Sequence, residues 1–354
     1  MNPTRRDMLA ACAAAVPALC GLPVGAAPPS AARPRLGVVA YSYAIRLAAD
    51  RASGKPGLTD PLALVEHCHE IGAGGAQVGL GVRDGEYAAR LRSKVEGFGM
   101  YLEGIVALPK DRADVERFAA EVRTAKAAGA TVLRTASLNS RRYETFTTLE
   151  AFRRWQEQAA RSLALAEPVV AREDVRLAVE NHKDRRSADL AAVLERLDSR
   201  HVGACVDTGN NIALLEDPLE VVEALAPWAF STHLKDMAVA EYEDGFLLAE
   251  VPLGQGILDL AKIVGTLRRA HPEVHFNLEM ITRDPLKVPC LTPQYWVTFA
   301  NLPGRDLART LALVRKRQTG RPLTKVSGMA RERQLDLEES NVRSSLAYAR
   351  EHLL

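Results

Sequence analysis

Eight short apolar runs recur along the chain: RLGVVAYSY from Arg35, GAQVGL from Gly75, YLEGIVAL from Tyr101, TVLRTAS from Thr131, RLAVENHK from Arg176, VGACVDTGN from Val202, FSTHLKDM from Phe230 and HFNLEMI from His275. They are continuous rather than alternating, the pattern of strands covered on both faces as in a parallel sheet. Between them lie stretches with apolar residues at helical spacing, among them DPLALVEHCHEIGAGG, DRADVERFAAEVRTAKAAGA, SADLAAVLERLDSR with a Ser at its start to cap it, DPLEVVEALAPWA and DLAKIVGTLRRAHP. The steps from Gly75 to Tyr101 and from Arg176 to Val202 are equal, and each is the length of one strand–helix unit. Strand then helix, repeated eight times, predicts an α/β protein, a (β/α)8 barrel over residues 35–303. Longer intervals, such as 131 to 176, leave room for long loops after strands. Beyond it, DLARTLALVRKR and ESNVRSSLAYAREHLL predict extra C-terminal helices over 304–354, separated by the linker-like QTGRPLTKVSG.

Composition changes this picture little. The 354 residues are 47% hydrophobic and 25% charged with a net charge of +2, ordinary values for a globular protein and far from the basic excess of a nucleic-acid binder. The N-terminus does change it. Residues 1–27 carry paired Arg5 and Arg6, an apolar run from Met8 to Leu22 and then small residues, a pattern that resembles a twin-arginine (Tat) signal peptide. The run is too short for a mature membrane anchor, so no stable membrane insertion is expected. Export places the mature chain in the periplasm or outside the cell and makes a phosphorylated intracellular substrate a poor fit. Cys68, Cys205 and Cys290 remain after the signal, an odd set at wide spacing with no disulfide or zinc pattern.

Candidate chemistry sits at the ends of the last four barrel strands. In LAVENH, alternation puts Glu180 and His182 on one side with Asn181 turned away. An unpaired buried carboxylate costs several kcal/mol, so Glu180 needs a cation, water or a metal. The next strand ends with Asp207 and Asn210, the next with His233, Lys235 and Asp236, and the last with Glu279 and Arg283. In such a barrel these ends converge on one mouth. Two glutamates, an aspartate and a histidine form an oxygen-rich ligand set suited to Mn²⁺, Mg²⁺ or Co²⁺. Asp236 faces the other way and is expected to brace a loop or helix. Arg134, at the end of the fourth strand, is a candidate for substrate contact or a salt bridge, and Trp296 in TPQYWVTF could roof the pocket.

With these residues in place the chain, from about 35 to 300, resembles the xylose-isomerase-like TIM barrel family of sugar isomerases and epimerases, in a form carrying a Tat signal. The ketose 3-epimerases belong to it, and the apurinic-site endonucleases share its fold. The resemblance implies one divalent metal, Mn²⁺ first with Mg²⁺, Co²⁺ or Zn²⁺ as alternatives, held by Glu180, Asp207, His233 and Glu279. It also implies that Glu180 and Glu279 carry the proton. The GQG at Gly254–Gly256 resembles the family's glycine loop. Two positions depart from the epimerase pattern: Asn210 stands where a His is frequent, and HLKD replaces an Arg shortly after the strand-seven His.

The expected function is a metal-dependent sugar isomerase or epimerase that abstracts a proton next to a carbonyl and passes through an enediolate. Expected substrate contacts are His182, Asn210, Lys235, Arg283, Arg134 and Trp296. A lyase or dehydratase acting on 3-keto-glycosides or keto-sugars through the same site is one alternative, and a non-catalytic periplasmic sugar-binding barrel is another. The expected partner is a small sugar or keto-sugar, with no nucleic acid. The C-terminal helices could form a homodimer contact.

Overall fold

The computed structural model describes residues 36–54, 56–318 and 320–354; the signal segment expected over 1–27 lies outside the described residues. Eight parallel strands close into a barrel: β1 (Gly37–Val39), β2 (Gly75–Val78), β3 (Tyr101–Ile105), β4 (Val132–Thr135), β5 (Arg176–Glu180), β6 (Val202–Asp207), β7 (Ala229–Leu234) and, after a two-stranded excursion, β10 (His275–Leu278). Closure comes from β1 pairing on both sides, Gly37 opposite Asn277 and Val38 opposite Ala76. This is the (β/α)8 TIM barrel that the apolar runs predict.

Several helices around it start where a short polar side chain can accept the free amides of the first turn. Asp60 caps the helix Pro61–Glu70, Asp84 caps Gly85–Gly97, Thr148 caps Leu149–Arg172 and Asp217 caps Pro218–Leu225. The helix Ser187–Leu197 differs from expectation. Ser187 is its first residue rather than its cap, and its amide is met from outside by Glu216 at 3.0 Å while Ser187 Oγ donates to the same carboxylate at 2.7 Å. A residue 29 positions away thus does the work expected of a local hydroxyl.

The apolar faces of helices and strands meet in one continuous core, including Leu64, Leu91, Leu133, Leu163, Leu177, Val222 and Leu267. The last helix, Arg331–His352, joins this core through Val342, Leu346 and Ala349. Each buried Val or Leu side chain contributes about 1.5–3 kcal/mol. Glu338 of the same helix accepts the amides of Ile45 at 2.7 Å and Arg46 at 2.9 Å, tying it to the first turn of the helix Ala44–Ser53. Among the described residues no helix is long and apolar enough to cross a membrane.

One element was not anticipated. FSTHLKDM reads as a single strand, but β7 ends at Leu234 and Asp236 opens an antiparallel hairpin, β8 (Asp236–Tyr242) and β9 (Gly245–Val251), to which β11 (Leu286–Val288) adds. EDG between two alternating segments is a hairpin signal. Gly245 is required there: its φ is 151°, and a Cβ would lie 2.3 Å from Val288 O. A second core of Tyr143, Ile212, Met237, Phe246, Tyr295 and Phe299 forms against this hairpin.

Candidate metal centre

Alternation along the strands points two layers of polar side chains into the barrel. The upper layer carries Glu180 from β5, Asp207 from β6, His233 from β7 and Glu279 just beyond β10, all buried, with one ligand atom from each lying within 4.8 Å of the others. His233 Nδ1 lies 3.5 Å from Glu180 Oε2, 3.8 Å from Asp207 Oδ2 and 3.4 Å from Glu279 Oε1. It has no hydrogen-bond partner, although it is fully buried. Atoms that each sit about 2.1 Å from one ion lie within about 4.2 Å of one another, so these distances suit a shared ligand. One imidazole nitrogen facing three carboxylate oxygens is a ligand set that could hold a divalent metal ion.

The orientation of His233 is set from below. Its Nε2–H donates to Gln77 Oε1 at 2.7 Å. Gln77 Nε2 donates in turn to Glu103 Oε2 at 2.9 Å and Ser231 Oγ at 3.3 Å. A carboxylate accepts only, so Glu103 decides which end of the Gln77 amide faces the histidine, and the proton on Nε2 leaves the Nδ1 lone pair aimed at the carboxylates. Glu103, wholly buried, is itself satisfied by Ser231 Oγ at 2.6 Å, Asn277 Nδ2 at 3.0 Å and His275 Nδ1 at 3.0 Å. Gln77 and Glu103 are positioning residues absent from the candidates at the strand ends. Their one signal was a polar residue on the inward side of a buried apolar strand.

The model of the family described as Xylose isomerase-like TIM barrel matches residues 65–306. The chain belongs to that family. A curated relative of this barrel, the 3-oxo-isoapionate decarboxylase of Pectobacterium atrosepticum, is 34% identical over 115 residues, an alignment that covers 32% of this chain and 42% of the relative. Among solved structures, an L-ribulose 3-epimerase superposes with a TM-score of 0.55 at 14% identity, covering 90% of this chain and 96% of that one. A D-psicose 3-epimerase determined with D-fructose gives the same score and identity and is covered to 99%. These two share the fold with this chain.

In this xylose isomerase-like barrel each cluster carboxylate already has protein partners. Arg134 donates to Glu180 Oε2 through Nε at 2.6 Å and through a second, shorter contact. Burial raises the pKa of Glu180, but the guanidinium and His233 outweigh it and hold the group below the usual carboxylate range. Lys235, also fully buried, sits 2.5 Å from Glu279 Oε2 and 2.8 Å from Asp207 Oδ2. Burial raises Glu279 as well, and Lys235 and His233 bring it well below its ordinary value. Asn210 donates to Glu180 Oε1 at 2.9 Å, and its own amide is held by Asp207 Oδ1 at 2.8 Å. Asn181, turned away from Glu180, clamps the backbone of Asp207 through both its N–H and its carbonyl, at 2.7 and 2.9 Å.

The remaining candidates separate. His182 is half-buried, its Nδ1 has no partner, and burial together with Lys183 pushes its pKa down to about 3, so its ring is neutral. Arg283 is at the mouth and forks onto Glu250 at 2.5 and 3.2 Å. Glu250 comes from β9, in the unanticipated hairpin, and could not be placed from strand ends alone. Trp296 donates its indole N–H to Cys290 O at 2.9 Å and packs on Tyr295 and Phe299 in the second core. Asp236 lies outside the cluster. Its carboxylate accepts the amides of Gly254, Gly256 and Leu258 at 2.8–3.1 Å and so shapes the GQG loop.

Proposed function

We propose that this chain is a divalent-metal-dependent isomerase or epimerase of a sugar or keto-sugar, working by proton transfer next to a carbonyl. The observation that carries the reading is the orphaned His233 Nδ1 facing Glu180, Asp207 and Glu279 at 3.4–3.8 Å in a buried site. Glu180, Asp207, His233 and Glu279 would hold the ion. A divalent ion in such a site polarises a carbonyl and acidifies the neighbouring C–H. Glu180 and Glu279 are the bases: neighbouring cations keep both ionised, the form that accepts a proton although at a reduced proton affinity, and they stand on different strands of the mouth. Lys235 and the neutral His182 supply donors to an oxygen that gains charge as the proton leaves. Burial of the cluster keeps bulk water from competing for that charge.

The relative named as a decarboxylase supports a second reading, a lyase. Loss of CO₂ from a carbon next to a carbonyl leaves the same electron pair that proton abstraction leaves, so one site can serve either reaction. A twin-arginine export signal and a periplasmic or secreted location belong to this proposal too, on the pattern of residues 1–27.

Solvent exchange separates these cases. Metal-loaded protein is incubated in D₂O with ketoses, keto-sugar acids and 3-keto-glycosides and followed by NMR. Deuterium entering beside the carbonyl, lost in Glu180→Gln, is the expected result. Release of CO₂ or another leaving group makes the enzyme a lyase. Bound metal with neither exchange nor cleavage across the panel refutes the catalytic reading in favour of a sugar-binding barrel.

A further inference from the structure

Four cations surround the cluster, and three of them have carboxylate partners: Arg134 with Glu180, Lys235 with Asp207 and Glu279, and Arg283 with Glu250. Lys183 does not. It is 2% exposed, and among the described residues no carboxylate lies within ion-pair distance of its Nζ. Its partner is the neutral Asn210 Oδ1, which also lies 3.5 Å from Lys235 Nζ. Asn210 cannot turn away, because its Nδ2 is held on Glu180. Two ammonium groups therefore converge on one amide oxygen in a site shielded from water; Asp207 and Glu279 answer Lys235, and Lys183 is left as a buried cation with no anion in contact. Arg283 is near enough for its charge to act on Lys183, and all three cations act on Glu250; its Nε and Nη2 are committed to Glu250, and Nη1 carries no hydrogen bond among the described residues.

The charge balance points the same way. In the layer that carries the ligands, Glu180, Asp207, Glu279 and Glu250 offset Arg134, Lys183, Lys235 and Arg283, four against four; outside it the buried Asp184 faces Arg185 at 3.9 Å and the buried Glu103 faces His275 at 3.0 Å. A divalent ion added to this set leaves two positive charges over. A neutral sugar answers at most one of them, through the oxygen that becomes anionic during reaction. A substrate with its own carboxylate answers both.

We propose that Lys183, with Arg283 and Lys235, forms a subsite for a substrate carboxylate, so that this centre takes a sugar acid rather than a neutral sugar. The inference rests on the reading of the cluster as a metal-dependent sugar site and names its substrate class. Burial, Lys235 and Arg283 push the Lys183 pKa down to about 8, which still leaves it cationic at neutral pH and able to hold the anion.

The test is equilibrium binding, which needs no turnover, so failure of the catalytic reading and failure of this one are told apart. Full-length protein loaded with Mn²⁺ is titrated by calorimetry with D-xylonate and with xylitol, two unreactive probes that differ at the carboxylate. Xylonate is expected to bind about tenfold more tightly or better, as hydrogen bonds to buried charged groups allow. Lys183→Met should remove that advantage and Lys183→Arg should keep most of it, with Mn²⁺ affinity of both variants measured alongside to show an intact centre. Equal binding of the two probes by the unmodified protein, or binding of neither, overturns the proposal. An advantage that survives in Lys183→Met also overturns it, since the carboxylate would then sit on the metal.

Discussion

Replacing Gln77 by Met keeps the volume and removes the one acceptor of the His233 Nε2–H. A buried donor left without a partner costs about 1–3 kcal/mol. The imidazole has a way out: it can move its proton to Nδ1, which points at three carboxylates 3.4–3.8 Å away and can donate to them. The metal-free protein therefore recovers much of the loss. Metal binding does not, because a protonated Nδ1 offers no lone pair and the tautomer must be forced back. Loss of such a supporting hydrogen bond weakens metal affinity by about 10–100-fold, equivalent to about 1.4–2.8 kcal/mol. Titration with Mn²⁺, reading the free ion by electron paramagnetic resonance, measures this directly. Thermal unfolding with and without Mn²⁺ supplies the contrast: the metal-induced rise in Tm should shrink more than the metal-free Tm falls. Gln77→Met binding Mn²⁺ within twofold of the unmodified protein would refute the view that Gln77 sets the histidine tautomer.

Two further outcomes follow from single contacts. In metal-free protein, Lys183 has a pKa of about 8 against its ordinary 10.5, so unfolding takes up a proton between these values. Stability from this group is thus lost as pH falls through about 8 and is fully present above about 10.5, a swing of about 3 kcal/mol. Chemical denaturation from pH 7.5 to 10.5 should show that rise in the unmodified protein relative to Lys183→Met; parallel curves would contradict the assignment. At Gly256 an added Cβ would lie 2.1 Å from Asp236 Oδ1 and 2.5 Å from Met237 O. Gly256→Ala should therefore destabilise by about 1–3 kcal/mol, while Gly304→Ala, with nothing within 4 Å, should leave Tm unchanged or slightly higher.

Legibility in the sequence followed the range of the interactions involved. Glu180, Asp207, His233 and Glu279 could be read because each closes an apolar strand, and the barrel topology implied by the strand–helix repeat brings such ends together. Gln77 and Glu103 stood in the open in GAQV and YLEGI, yet their partners are far along the chain: Gln77 meets Ser231 across 154 positions and Glu103 meets Asn277 across 174. Lys183 stands at the end of RLAVENHK, but nothing local says that its neighbour will be an amide instead of a carboxylate. Glu250 was hidden for a different reason. The hairpin carrying it interrupts the seventh strand–helix unit, and periodicity alone allowed for a loop there.

The strand order, the closed barrel and the polar mouth were settled by local pattern, because a run buried on both faces and a helix with one apolar side have few ways to cover each other. Which cations pair with which carboxylates was settled only by closure of the barrel, which sets β5, β6, β7 and β10 side by side with His233 opposite Asp207 and Asn277 in the ladder. Charge pairing acts over a few ångströms, and a linear sequence carries no measure of that distance between residues on different strands. The lone ammonium of Lys183 is visible only after every other charge in the site has found its partner.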